Sequence, residues 1–240
     1  MCMKKIFLFI IFFVVVAIVQ PTSSGAVLSS QEGGIFMVDD FNQRKMFNLL
    51  GGKTQGYEEA GVKCIPTFAT SPEETRAGKG PSLRLDFNVS APNSFSYYWT
   101  KLITEYAGAF SGKTFEARAF KDLSGYDYLS FWLMDPQGGA DFAVELHQDV
   151  DGDGTYIMGK DKISSIDIAA YNDVTMRGKW QEIVIPLSGF RNITDWGKIL
   201  EIVFVFRHGR GIDKGTVYID DVCFGSNPPK GKVAYKICAE

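Results

Sequence analysis

Histidine and cysteine are scarce in this chain: 240 residues hold two His and four Cys. Two imidazoles leave little for histidine-based catalysis, and no CxxC or Cys/His spacing offers a zinc site. Charge of one sign is lacking too. With 25 Lys plus Arg against 28 Asp plus Glu, the formal charge is −3, so no broad cationic field exists for a nucleic-acid backbone. HExxH, GxSxG and P-loop patterns are absent. The glycines of Gly209-Arg210-Gly211 do not follow a strand into a helix with dinucleotide spacing. Long amphipathic helix patterns are also missing, and the apolar run at residues 6–19 falls short of the roughly 20 residues a bilayer span needs.

That run follows Lys4 and Lys5 and ends in Gln20-Pro21-Thr22-Ser23-Ser24-Gly25-Ala26, a helix breaker with small residues. The pattern predicts a secretory signal peptide over residues 1–26 and a single β-sandwich domain over 27–240, in a secreted or periplasmic protein. Cys2 precedes the apolar run and cannot be a lipid-accepting cysteine, so no stable membrane anchor is expected after cleavage. Cys64, Cys223 and Cys238 then remain. An odd number permits one disulfide and one free thiol, with all three pairings open, although Cys64 and Cys223 lie in strand-like apolar settings that suit buried thiols.

What is abundant is Gly (25), aromatic residues (14%) and short apolar runs bounded by turn formers. This combination predicts an all-β domain, a sandwich, with strands at residues 35–41, 82–90, 95–103, 126–134, 141–148, 181–186, 200–207 and 216–224. Alternation assigns faces: Leu83, Leu85, Phe87 and Val89 share one side, as do Leu129, Phe131 and Leu133, and Phe142, Val144 and Leu146. Residues 51–61 and 70–81 read as loops, and a turn of helix is expected near Asp195 and Trp196.

Two constellations could carry chemistry. Asp149-Val150-Asp151-Gly152-Asp153-Gly154 is a DxDxDG loop, whose alternate carboxylates can wrap the six to eight oxygens calcium prefers. It departs from an EF-hand, with Lys160 at the twelfth position and strands as flanks, so Asp149, Asp151 and Asp153 are expected to bind calcium in a hairpin loop, with Asp161 a further contributor. Sugar recognition needs flat aromatic faces beside planar polar groups. Tyr97, Tyr98, Trp99, Tyr128, Trp132, Glu145, His147 and Arg207 fit that chemistry on strands able to share one concave sheet. Trp132 is expected to face outward beside Tyr128 and Ser130, whereas Trp180 and Trp196 read as core or loop packing.

Three patches carry a resemblance. Val38-Asp39-Asp40-Phe41-Asn42 with Asn48-Leu49-Leu50-Gly51-Gly52, then Tyr126-Asp127-Tyr128-Leu129-Ser130-Phe131-Trp132-Leu133, and finally Val217-Tyr218-Ile219-Asp220-Asp221-Val222-Cys223-Phe224 stand in this order. Together they resemble jelly-roll carbohydrate-binding modules of galactose-binding-like fold, especially family 11. The complex I intermediate-associated protein family carries similar patches. The resemblance implies a jelly-roll β-sandwich and a structural calcium tying the first and last strands, for which Asp40 and Asp221 occupy the matching patches. The expected function is a secreted non-catalytic protein that binds a polysaccharide or oligosaccharide on a concave sheet, with structural calcium. A protein-binding or assembly factor of the same fold is one rival, and a polysaccharide hydrolase or lyase another.

Overall fold

The alternation is realised as strands that each bury one side. In the computed structural model, residues 34–104, 108–110, 113–115, 119–171 and 177–228 are described. In chain order the strands are β1 (Ile35–Asp39), β2 (Thr54–Gly56), β3 (Glu58–Glu59), β4 (Val62–Ala69), β5 (Ser82–Asn88), β6 (Phe95–Lys101) and β7 (Gly108–Phe110). There follow β8 (Lys113–Phe115), β9 (Tyr128–Met134), β10 (Ala140–Gln148), β11 (Lys162–Asp167), β12 (Gln181–Pro186), β13 (Ile199–Gly211) and β14 (Lys214–Gly225). A seven-stranded sheet runs β12-β9-β14-β5-β4-β3, with β1 added beside β14, and a five-stranded sheet runs β11-β10-β13-β6-β2. Among the described residues β7 and β8 form a separate two-stranded sheet. All pairings are antiparallel, and the two larger sheets stack as a jelly-roll sandwich. Among the described residues no helix is long and apolar enough to cross a membrane. The expected signal segment and Cys238 lie outside the described residues.

The inward faces are those the alternation assigns. Leu83, Leu85 and Phe87, Leu129, Phe131 and Leu133, and Val217 and Ile219 come from the seven-stranded sheet; Phe142, Val144, Leu146, Ile202, Phe204 and Phe206 oppose them, all buried. Phe204 is the hub. Its ring meets Phe131 edge-on at 5.2 Å, Phe142 at 5.8 Å and Tyr98 at 6.2 Å, while Phe206 stacks on Phe87 at 4.2 Å. Cys64 and Cys223 are buried free thiols, and burial pushes both up in pKa, so both are poor nucleophiles.

Several strands lie where no strand was expected. β2 and β3 fall within the expected loop 51–61, and β4 contains Pro66, which argues against a strand. The Cys64 N–H donates to the carbonyl of Tyr57, and the nitrogen of residue 66 points the same way, away from β5. Pro66 therefore breaks no ladder bond. β11 is a polar edge strand, KISSID, with a weak apolar pattern. Near Asp195 the chain forms a 3-10 turn, Trp196–Lys198, in which the Asp195 carboxylate accepts the Gly197 N–H.

β14 lies beside three strands. Lys214 to Ile219 face β5, Val222 to Gly225 face β1, and β9 covers the other side. The partner switch occurs at Asp221, which has φ +45° and sits in a register break. The first and last strands of the sandwich thus close on each other as expected. The acidic residues at this junction are handled differently. Asp221 pairs with Arg76 and, at 3.7 Å, with Lys79; Asp40 accepts the Asn42 N–H. Asp40 and Asp221 are not gathered into a three-carboxylate group among the described residues. Burial pushes Asp39 up to about 7 against the opposing bond from Phe41 N–H, and burial pushes Asp220 up to about 6 against Arg76.

Two outcomes follow. Phe204→Ala should cost about 3–5 kcal/mol in denaturant melts, the range for deleting a buried aromatic. Asp39 holds its proton more tightly folded than unfolded, so its stabilising contribution is present at low pH and lost as pH rises through about 7. The melting temperature should fall between pH 5 and pH 8, and Asp39→Asn should flatten that fall; an unchanged slope would refute the assignment.

Candidate carbohydrate-binding face

The outward side of the five-stranded sheet brings half-exposed rings and buried charges together. Register fixes the neighbours. Trp99 on β6 lies opposite Val203 on β13, which lies opposite Glu145 on β10. One row along, Tyr97, Val205 and Ala143 align; on the other side stand Lys101, Glu201 and His147. Val203, Val205 and Ala143 point outward yet are 3%, 5% and 0% exposed, because taller side chains flank them. They form a low apolar strip between two rows of taller side chains, and this strip with its flanks makes a shallow trough.

The aromatic side of the trough comes from β6 and the residue after β2. Tyr57, Phe95 and Tyr97 lie with near-parallel planes, centroids 4.9 to 6.3 Å apart. Trp99, the next outward residue, has the ammonium groups of Lys53 and Lys101 at 5.9 and 5.8 Å from its ring. Phe95 is 52% exposed, a large apolar ring left partly in water.

The other side is a chain of ions. His147 Nδ1 is 2.9 Å from Glu201 Oε1, and Nε2 is 3.1 Å from Glu145 Oε2. Arg207 donates through Nη2 to Glu145 Oε1 at 2.6 Å. To do so it reaches from its own row past Ala143, whose single methyl leaves the room. Carboxylates only accept, so both ring nitrogens of His147 must donate, which makes the ring an imidazolium. Burial alone would lower the pKa of His147, but the bonds to Glu145 and Glu201 outweigh it and raise the value. Burial likewise pushes Glu145 up, and the bonds from His147 and Arg207 outweigh it and hold the carboxyl below the ordinary glutamate range. The group is neutral as a whole, rigid, and buried except for the Arg207 head.

Of the residues expected to bind sugar, Tyr97, Trp99, Glu145, His147 and Arg207 lie on this face. Tyr98 does not. It is 1% exposed, points into the sandwich and bonds Thr54 there. Tyr128 and Trp132 belong to the other sheet. Tyr128 is buried against Gly225, where any Cβ would collide with its phenol ring. Trp132 carries the Arg76 guanidinium at 4.5 Å from its ring, so a loop side chain occupies the position proposed for a sugar. Trp180 packs on the small cluster of Ala69, Met134 and Tyr218. Glu201, Tyr57 and Phe95 were missed; the set Glu201, Val203, Val205 and Arg207, opposite in parity to Ile202, Phe204 and Phe206, was the readable signal for Glu201.

The DxDxDG loop does gather its acids. Asp149, Asp151 and Asp153 each offer an oxygen within 4.8 Å of the others. Lys160 pairs with Asp151 and, at 3.2 Å, with Asp153, while both Asp149 oxygens accept the Gly152 and Gly154 N–H groups at 2.6 Å.

A β-sandwich with ringed and charged residues around a trough on one open sheet defines a carbohydrate-binding module in class. Residues 49–226, most of the chain, match the family model for carbohydrate binding domain 30, and the chain belongs to that family. A solved family 30 carbohydrate-binding module is similar over 82% of this chain and 90% of its own, at 19% identity and TM-score 0.56. The family 30 module of a cellulosomal cellulase of Clostridium thermocellum matches over 82% and 99%, at 20% identity and TM-score 0.54. A family 11 module from Clostridium thermocellum, solved with a β-1,3-1,4-mixed-linked tetrasaccharide, matches over 81% and 96%, at 14% identity and TM-score 0.51. No curated protein matches the chain. The family 11 likeness read from the sequence is thus a likeness of fold, and family 30 is the membership.

The imidazolium assignment is directly measurable. Nitrogen-15 spectra at pH 7 should show His147 protonated on both Nδ1 and Nε2, and Glu201→Gln should lower its pKa. A neutral ring with one N–H at pH 7 would contradict the network.

Proposed function

We propose that the chain is a secreted, non-catalytic module that binds a neutral β-linked glucan on the outer face of the five-stranded sheet. One observation carries this reading: the half-exposed rings of Tyr57, Phe95, Tyr97 and Trp99 flank an apolar floor that Glu145, His147, Glu201 and Arg207 border on its other side. Pyranose C–H groups pack on aromatic rings, and hydroxyls exchange bonds with the planar charged groups. The Glu145, His147, Glu201 and Arg207 group is neutral as a whole, and the family 11 module was solved with a β-1,3-1,4-mixed-linked tetrasaccharide, so an uncharged β-linked chain is the expected ligand. A non-catalytic role is supported by Glu145. Held below its ordinary pKa by two donors, it is poorly suited to act as a general acid. Secretion is supported by Lys4, Lys5 and the apolar run that follows them.

Calcium at Asp149, Asp151 and Asp153 belongs to the same proposal. The donor set suits a hard cation, and the ion would have to displace the Lys160 ammonium. Calorimetry should show a calcium-dependent rise in melting temperature that Asp151→Ala removes. No shift would sink the calcium part alone.

The tetrasaccharide bound by the family 11 module is the first probe, followed by an array of neutral and acidic glycans. Trp99→Ala should weaken binding at least about tenfold, as expected for a ring at the centre of a binding surface. Trp132→Ala should leave binding unchanged and lower stability only. Binding lost in Trp132→Ala and kept in Trp99→Ala would move the site to the other sheet. Release of reducing ends from a bound glycan would replace the non-catalytic reading with an enzyme.

A further inference from the structure

The loop at residues 149–161 joins β10 to β11, yet it does not stay at their end. Lys101 on β6 donates its ammonium to the Gly154 carbonyl at 3.3 Å. β13 lies between β10 and β6, so the loop spans three strands. It is held at many points. Asp161 accepts the Val150 N–H at 2.9 Å and the Ile157 N–H at 2.7 Å; Lys198 gives its carbonyl to the Asp149 N–H at 3.0 Å and its ammonium to the Val150 carbonyl at 3.0 Å. A segment tied at both ends and in its middle is a wall rather than a drifting tip.

This wall presents apolar groups. Ile157 is 43% and Met158 82% exposed. Tyr156 is half-buried, its ring 4.3 Å from the His147 ring with a 35° tilt. Burial, and next the carboxylates of Glu145, Asp161 and Glu201, raise the phenol's pKa, which puts it beside the same ion chain that borders the trough. Tyr156 stands at the His147 end of the row His147, Glu201 and Lys101, on the far side of β13 from the β6 rings.

We propose that the loop at residues 149–161 is one bank of the carbohydrate-binding trough, and that Tyr156 is a ligand-contacting, specificity-determining residue on it. Its ring packs against the sugar that lies beside His147, while the β6 rings hold the neighbouring part of the chain. The inference rests on the carbohydrate-binding reading of this face. The sugar unit here lies on the outer side of the Tyr156 ring, whose other side is backed by His147, and the bank limits how bulky that unit's substituents are.

The test combines affinity, stability and direct contact, with the β-1,3-1,4-mixed-linked tetrasaccharide as probe. Tyr156→Ala should weaken binding at least about tenfold, and Tyr156→Phe, which keeps the ring, should bind within about threefold of the parent. Melting temperatures of both should stay near that of the parent chain. In the unaltered protein, nuclear Overhauser contacts should join the Tyr156 ring to sugar protons, a readout that a residue acting only by holding His147 would not give. Binding by Tyr156→Ala equal to the parent, or weaker binding with no ring-to-sugar contact, overturns the inference and leaves the carbohydrate reading standing. If Tyr156→Ala does not fold, the contact measurement on the unaltered protein decides alone. No binding of the tetrasaccharide by the parent chain overturns the proposed glucan ligand and this inference together.

Discussion

The register of β13 between β10 and β6 is the constraint on which the rest depends. Ile202, Phe204 and Phe206 point inward and form the contact between the sheets, while Glu201, Val203, Val205 and Arg207 point outward and form the floor and part of the rim of the trough. A slip of one residue would exchange the two sets, sending two charges into the core and three apolar groups into water. Stability therefore holds the outward face of this sheet in place. The Phe204 hub, which touches rings from β9, β10 and β6, is what makes a slip costly.

The chain uses the same side-chain types for opposite ends on its two sheets. On the seven-stranded sheet Trp132 carries Arg76 at 4.5 Å, whose charge is returned to Asp220 and Asp221. The face of that indole is already occupied. On the five-stranded sheet the cations stand beside Trp99 at nearly 6 Å, and the rings of Phe95 and Tyr97 are left partly in water. Phe95 and Tyr97 stack on each other and on Tyr57 and keep part of their surface exposed, whereas Trp132 is closed off by a cation at contact distance.

Charge placement gives the trough its stiffness. Glu145, His147, Glu201 and Arg207 satisfy one another, so the carboxylates keep fixed orientations with lone pairs to spare for hydroxyl donors. Preorganised polar groups lose little freedom when a ligand arrives. The loop carrying Tyr156 extends that rigidity across the end of the sheet, because its backbone N–H groups are held by Asp149 and Asp161 and its carbonyls by Lys101 and Lys198.

Strong alternation along the chain is enough to place several strands and their inward residues. Leu83, Leu85 and Phe87, or Phe142, Val144 and Leu146, need only a period of two, a property of the local backbone, to place them. Short polar segments such as β3 and β11 were not legible, since edge strands carry little apolar pattern and are ordered by their neighbours. β6 reads FSYYWTK, with rings on both parities, so sequence could not say that Tyr98 enters the core and Trp99 leaves it; the fit of Tyr98 beside Phe204 and Thr54 decides that. Membership of a sheet was decided only in three dimensions. Trp132 and Trp99 carry similar local signals, yet one strand pairs with β14 and the other with β13, and hydrogen-bonded pairing between segments far apart in the chain leaves no local mark. Glu201 and Glu145 meet on His147 for the same reason: the partners of a charge are chosen by strand order, which belongs to the assembled fold.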